Sequence, residues 1–158
     1  MSEHRYATRL EWSGAAQGST KTYAGYSRDH TIVAGGKPPL LGSADPTFRG
    51  DVSKYNPEEL LLAALSACHM LSYLALCARE GIAVVSYRDD AVATMVEKAG
   101  AGRFTSATLR PVIAIDDQRV ERATALHDEA RAQCFIANSI NFPVEHEPVV
   151  RRIAAVGA

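Results

Sequence analysis

The chain has 158 residues, enough to bury a core and few enough for one domain, so a single domain over residues 1–158 is expected. Seventeen Lys and Arg stand against eighteen Asp and Glu. That balance leaves no electrostatic footprint for nucleic acid or an anionic membrane, and the substrate is expected to be small. Three cysteines are too few, and odd in number, for a secreted disulfide framework. Met1 to Arg5 carries no apolar signal core, so a reducing cytoplasm is the expected compartment.

From His4 to Ser13 the residues alternate, with Tyr6, Thr8, Leu10 and Trp12 on one face, which predicts a half-buried strand. Thr20 to Ser27 is again β-like, so an opening hairpin is expected, with Thr31-Ile32-Val33 as a third strand. Residues 35–55 then turn to Gly, Pro, Ser and Asp. A loop of that length without structure is usually functional, and it is read here as covering a site.

Asn56-Pro57-Glu58-Glu59 opens the surest helix. Asn56 suits the N-cap, Pro57 the first helical position and Glu59 the capping box, while Arg79 and Gly81 mark the stop. Between Glu59 and Arg79 there is no charge, so this helix must be buried. Ser66, His69 and Ser72 interrupt the run, and a protein core or a subunit interface is expected rather than a membrane.

After Gly81, Ala83 to Val96 and Arg103 to Ile115 predict a second hairpin about the turn at 98–102. Asp116 or Asp117 can cap a second helix whose Val120, Ala123, Leu126 (or His127), Ala130 and Cys134 fall on one face. A last strand runs to Val150, and residues 151–158 are read as a frayed tail. The order of hairpin, long helix, hairpin, helix and strand gives an α+β class. A central helix without a polar face is hard to bury in so small a domain, and a homodimer sharing it solves the problem.

Cys68 and Cys134 are each predicted to face inward, and Cys77 reads as a small core residue. A thiol acts as a nucleophile only as thiolate, which requires a cation or donor supplied by the fold. His69 is expected to be a buried, hydrogen-bonded histidine. His127 and His146 look scattered, and no Cys/His spacing resembles a metal site.

Asn56-Pro57-Glu58-Glu59-Leu60, Ser66-Ala67-Cys68, Cys134-Phe135-Ile136-Ala137-Asn138-Ser139 and Asn141-Phe142-Pro143-Val144 resemble the OsmC/Ohr family of thiol-dependent peroxidases, over roughly residues 5 to 150. The resemblance implies an OsmC-like fold, with antiparallel sheets around a long central helix in an intertwined homodimer. It implies Cys68 as the peroxidatic thiol, Cys134 as the resolving thiol, Glu58 as the glutamate at the helix start and Arg28 as the site arginine, with Arg49 as the other candidate. It implies no bound cofactor. The reductant would be an external dithiol, a lipoylated protein or small thiols. His69 departs from the family pattern, where an aromatic residue often follows the cysteine.

The chemistry fits these roles. A guanidinium favours the thiolate, a glutamate can orient it by a bidentate ion pair, and a second thiol captures the sulfenic acid before further oxidation. Ten residues separate Glu58 from Cys68, about 15 Å along one helix axis, so in an unbroken helix they cannot meet. Two copies crossing antiparallel near Ala63 and Ala64 would bring Glu58 of one towards Cys68 of the other. The expected function is reduction of organic hydroperoxides, and possible use of hydrogen peroxide is left open. Two alternatives stand beside it: a cysteine hydrolase using Cys68 with a histidine base, and a non-catalytic dimer that senses oxidation.

Overall fold

The computed structural model describes residues 1–153. The chain divides into two compact units, residues 1–61 and 62–158, and one long helix, α1 (Pro57–Arg79), begins in the first and continues into the second.

The first unit carries a three-stranded antiparallel sheet of β1 (Arg9–Glu11), β2 (His30–Val33) and β3 (Leu40–Gly42), in that order. The alternation over His4–Ser13 thus yields only three strand residues. Thr20–Ser27 forms no strand, and β1 pairs with β2. The cause is local. After a 3-10 turn at Ser13–Gln17, Trp12 Nε1 donates to the Ser27 carbonyl at 2.7 Å, and Tyr23 and Tyr26 turn their rings onto Arg28. Those contacts override the β propensity of the tyrosines.

Residues 35–55 are more ordered than a structureless loop. They contain β3 and a 3-10 turn at Pro46–Phe48, whose Thr47 N–H is held by the Asp45 carboxylate at 2.7 Å. Buried Ser43 accepts the Asp51 N–H at 3.1 Å and donates its own N–H to the Tyr55 carbonyl at 2.9 Å. Lys54 reaches back to Asp29 at 2.5 Å.

Both ends of α1 follow the expected chemistry. Glu59 N–H donates to Asn56 Oδ1 at 2.8 Å and Asn56 N–H to Glu59 Oε2 at 3.1 Å, a reciprocal capping box. At the other end Gly81 takes φ +68°. Ile82 N–H then reaches the Cys77 carbonyl at 2.9 Å and Gly81 N–H the Ala78 carbonyl at 3.2 Å, a Schellman stop that a β-carbon would strain.

In the second unit β4 (Val84–Asp89), β5 (Val92–Lys98), β6 (Ala101–Leu109) and β7 (Pro111–Ile115) precede α2 (Val120–Gln133), and β8 (Val144–His146) and β9 (Val149–Arg152) follow it. β5 and β6 form a hairpin whose turn is Ala99-Gly100, both with positive φ. The strands make two sheets, β4-β7-β9 and β5-β6-β8. In each, the late strand joins in parallel to an antiparallel pair. Arg151 and Arg152 belong to β9 rather than to a tail, and residues 154–158 lie outside the described residues.

Two apolar clusters result. The larger joins Tyr73, Leu76 and Cys77 of α1 to Ile82, Ile113 and Ile115, and to Ala123, Leu126 and Ala130 of α2. The smaller joins Leu65 of α1 to Ala107 and Leu109 of β6, Val144 of β8 and Cys134. α1 is long and apolar enough to cross a membrane by composition alone, yet Leu65, His69, Tyr73, Leu76 and Cys77 are buried in the protein itself. Burial is one-sided. Ala63, Ala64, Ala67, Leu71, Ala75 and Ala78 remain exposed, so the expectation of a helix covered all round is not met within one chain.

Candidate active site

The capped α1 carries Cys68 midway along its length, and the second thiol arrives from the end of α2. The expected face of α2 is the buried one, with Ala123, Leu126, His127 and Ala130 inward. Its cap differs from expectation. Arg119 stands at the N-cap without a side-chain bond, because Asp117 instead accepts the Arg119 N–H at 2.8 Å and pairs with its guanidinium at 2.6 Å.

Cys134 follows the last residue of α2 and is 1% exposed. Cys68 is half-buried and packs against the same smaller cluster, close enough to influence the Cys134 thiol. Both are free thiols. Burial pushes the Cys134 thiol up to about 11, the Cys68 thiol adds to this, and the Ala137 N–H, 3.4 Å from Sγ, works against it. Cys134 is therefore held protonated at neutral pH until a partner draws the proton away.

Arg28 and Glu58 belong to the first unit. Arg28 donates to the carbonyls of Tyr26 and Tyr23, and its guanidinium lies 3.8 Å from the centre of the Tyr26 ring and 4.8 Å from that of Tyr23. Two aromatic faces and two carbonyls thus fix its plane. Arg49 is exposed and left-handed, at φ +67°. Glu58 sits half-buried in the first turn of α1, and the helix from it to Cys68 is unbroken.

One group of residues was read separately in the sequence and is joined by the fold. His69 is buried and hydrogen-bonded as expected, its Nε2 lying 3.0 Å from Nδ1 of His127. His127 and His146 are not scattered. The His69 ring stands 4.3 Å from that of His146, and the His127 ring stacks on Tyr73 at 3.9 Å. The signal was present: His69 lies four residues after Leu65, and His127 beside Leu126, on the faces that both helices bury. Among the described residues no group of three or more His, Cys, Asp and Glu is arranged to hold a metal ion.

The sequence profile of OsmC-like proteins matches residues 50–148. This chain belongs to the OsmC-like family. An OsmC-like protein of unknown function from Vibrio cholerae has a similar solved structure, with 31% identity, a TM-score of 0.82, and coverage of 94% of this chain and 100% of that one. An organic hydroperoxide resistance protein from Elizabethkingia anophelis shares the fold at 17% identity and TM-score 0.66, over 96% of this chain and 100% of that one. Another, named OsmC, from Legionella pneumophila, does so at 18% identity and TM-score 0.62, over 94% and 98%. No curated protein matches the sequence. The α+β OsmC-like fold is thus established for this chain, and proteins named for hydroperoxide resistance share that fold.

Proposed function

We propose that this OsmC-like protein is a thiol peroxidase that reduces organic hydroperoxides to alcohols. The observation that carries the reading is the meeting of half-buried Cys68 with buried Cys134 in one apolar cluster. Cys68 thiolate attacks the terminal peroxide oxygen, the O–O bond breaks, and the products are Cys68 sulfenic acid and an alkoxide that takes up a proton. Cys134 then attacks the Cys68 sulfur. The S–S bond forms, hydroxide leaves, and the proton lost by Cys134 completes a water molecule. An external dithiol returns both sulfurs to thiols; its identity as a lipoylated protein or a small thiol is part of the proposal.

Arg28 is proposed to favour the thiolate and Glu58 to orient Arg28. The exposed apolar side of α1 supports a second copy of this chain as its cover, since Ala63 and Ala64 allow close approach of two helices. Crossing there places Glu58 of one copy towards Cys68 of the other. The work of the protein is assigned to the cytoplasm, without nucleic acid or membrane as partner.

The test is peroxide consumption with excess dithiol, comparing cumene hydroperoxide with hydrogen peroxide. Turnover that prefers the organic peroxide, vanishes in Cys68→Ser and stalls with over-oxidised Cys68 in Cys134→Ser is expected. Equal turnover by wild type and Cys68→Ser would remove the reading.

A further inference from the structure

The stacked imidazoles have no part in the peroxide chemistry above, and His127 lies against Tyr73 of the larger core. His69 and His127 are 1% and 2% exposed. They share one hydrogen bond, and the outer nitrogens of the pair, His69 Nδ1 and His127 Nε2, are buried without a partner. Whichever ring donates, one outer nitrogen is then an unpaired donor and the other an unpaired acceptor. Adding a proton leaves two unpaired donors and a buried charge, so the arrangement tolerates only the neutral state.

We propose that His146, His69 and His127 form an acid-operated latch, in which uptake of one proton at the His146 end drives β8 away from α1 and uncovers Cys134.

The latch is built where the fold is thinnest. β8 has three residues and pairs on one side only, in parallel with β6, through Ala107–Val144, Thr108–Glu145 and Leu109–His146. Val144 and His146 are two apart and so share a face. Val144 belongs with Cys134 to the smaller cluster, and His146 packs against His69 of α1. A strand pushed back at His146 therefore draws Val144 out of the cluster that buries Cys134. His146 is half-buried and is the ring that solvent protons reach first.

The groups that face His146 explain why its charge is poorly met. α1 offers His69, and α2 offers His127, Arg131 and Asp128, of which only the last favours a cation; β4 offers Asp89. β6 offers Leu109, which carries no charge, and the next residue, Arg110, is taken by Glu147 at 2.9 Å. Asp89 is also engaged. It accepts Ser66 Oγ at 2.5 Å and Arg110 N–H at 2.6 Å. Burial holds all three imidazoles below their ordinary value, His146 included, with Arg131 adding to the effect there.

The test uses the folded full chain in a Cys68→Ser background, which leaves Cys134 and Cys77 as the thiols. Each is labelled with 4,4′-dithiodipyridine, a thiol reagent that works in mild acid, at pH 7 and pH 5, and scored by peptide mass. Rates are taken relative to a small free thiol. Cys77 is the internal control, because it lies in the larger core away from β8. Cys134 labelling is expected to rise about tenfold at pH 5, one pKa unit's worth of opening, while Cys77 stays slow. His146→Gln should abolish the rise. If that variant folds poorly, His146→Phe keeps a ring against His69 without the proton and should do the same. Three results would each overturn the latch: Cys134 as slow at pH 5 as at pH 7, Cys77 rising with Cys134, or the same rise in the folded His146 variants.

Discussion

The two apolar clusters differ in what they can tolerate. The larger draws its buried side chains chiefly from α1, β7 and α2, and it holds one cysteine, Cys77. The smaller has fewer buried members, from α1, β6 and the three-residue β8, and it brings Cys134 together with half-buried Cys68. Burial raises both buried thiols, so low polarity alone does not make a cysteine reactive in this protein. What distinguishes Cys134 is a neighbouring sulfur and the means of reaching it. Stability is therefore expected to rest mainly on one cluster, and the proposed chemistry on the other.

The largest effect should come from opening the larger cluster. Leu126 is fully buried there, and Leu126→Ala removes its contacts with both neighbouring elements and leaves a cavity. A loss of about 2–5 kcal/mol is expected, read from the chemical-denaturation midpoint. A loss under 1 kcal/mol would mean that this cluster is not the stable half.

Acid should strike between the clusters. His69 is held near 3 and His127 near 4 in the folded protein, against 6.5 in the unfolded chain, with burial as the main cause for each. The unfolded chain then binds protons first, so their contribution is intact above pH 6.5 and is lost as pH falls below it. By pH 5 each ring should cost about 2 kcal/mol. Denaturation midpoints at pH 7 and pH 5 give the measurement, and a flat profile would show that the rings are not buried neutral.

The smallest effect sharpens the comparison of the cysteines themselves. Cys77→Ala should leave peroxide turnover within about twofold of wild type, a change of under 1 kcal/mol in the barrier, while Cys134→Ala abolishes sustained turnover. Equal losses from both would erase the distinction between the clusters.

Much of this could be read in the sequence, and the rest could not for definite reasons. The ends of α1 were legible because capping is local: Asn56, Glu59 and Gly81 bond within a few residues of themselves. The inward face of α2 was legible because helical spacing carries it. The strand at Thr20–Ser27 failed because Tyr23 and Tyr26 are held by a guanidinium rather than by a neighbouring strand. Within the candidate site, Cys68 and Cys134 meet at one apolar cluster, while the roles that the family resemblance implied for them belong to the proposal. The histidine group escaped, since its members are joined only by tertiary contacts across α1, α2 and β8, 58 residues apart in the case of the hydrogen-bonded His69 and His127.

The parallel attachment of β8 and β9 has a consequence for how the chain matures. Neither sheet of the second unit can acquire its third strand until the chain has been made past residue 140, because β8 pairs with β6 and β9 with β7. Until then β6 and β7 each present an unpaired edge to the cell. These pairings also span long sequence separations and are slow to form. The interval between synthesis of β7 and arrival of β9 is accordingly when the nascent chain is most open to aggregation, and it is then that a chaperone would have most to protect.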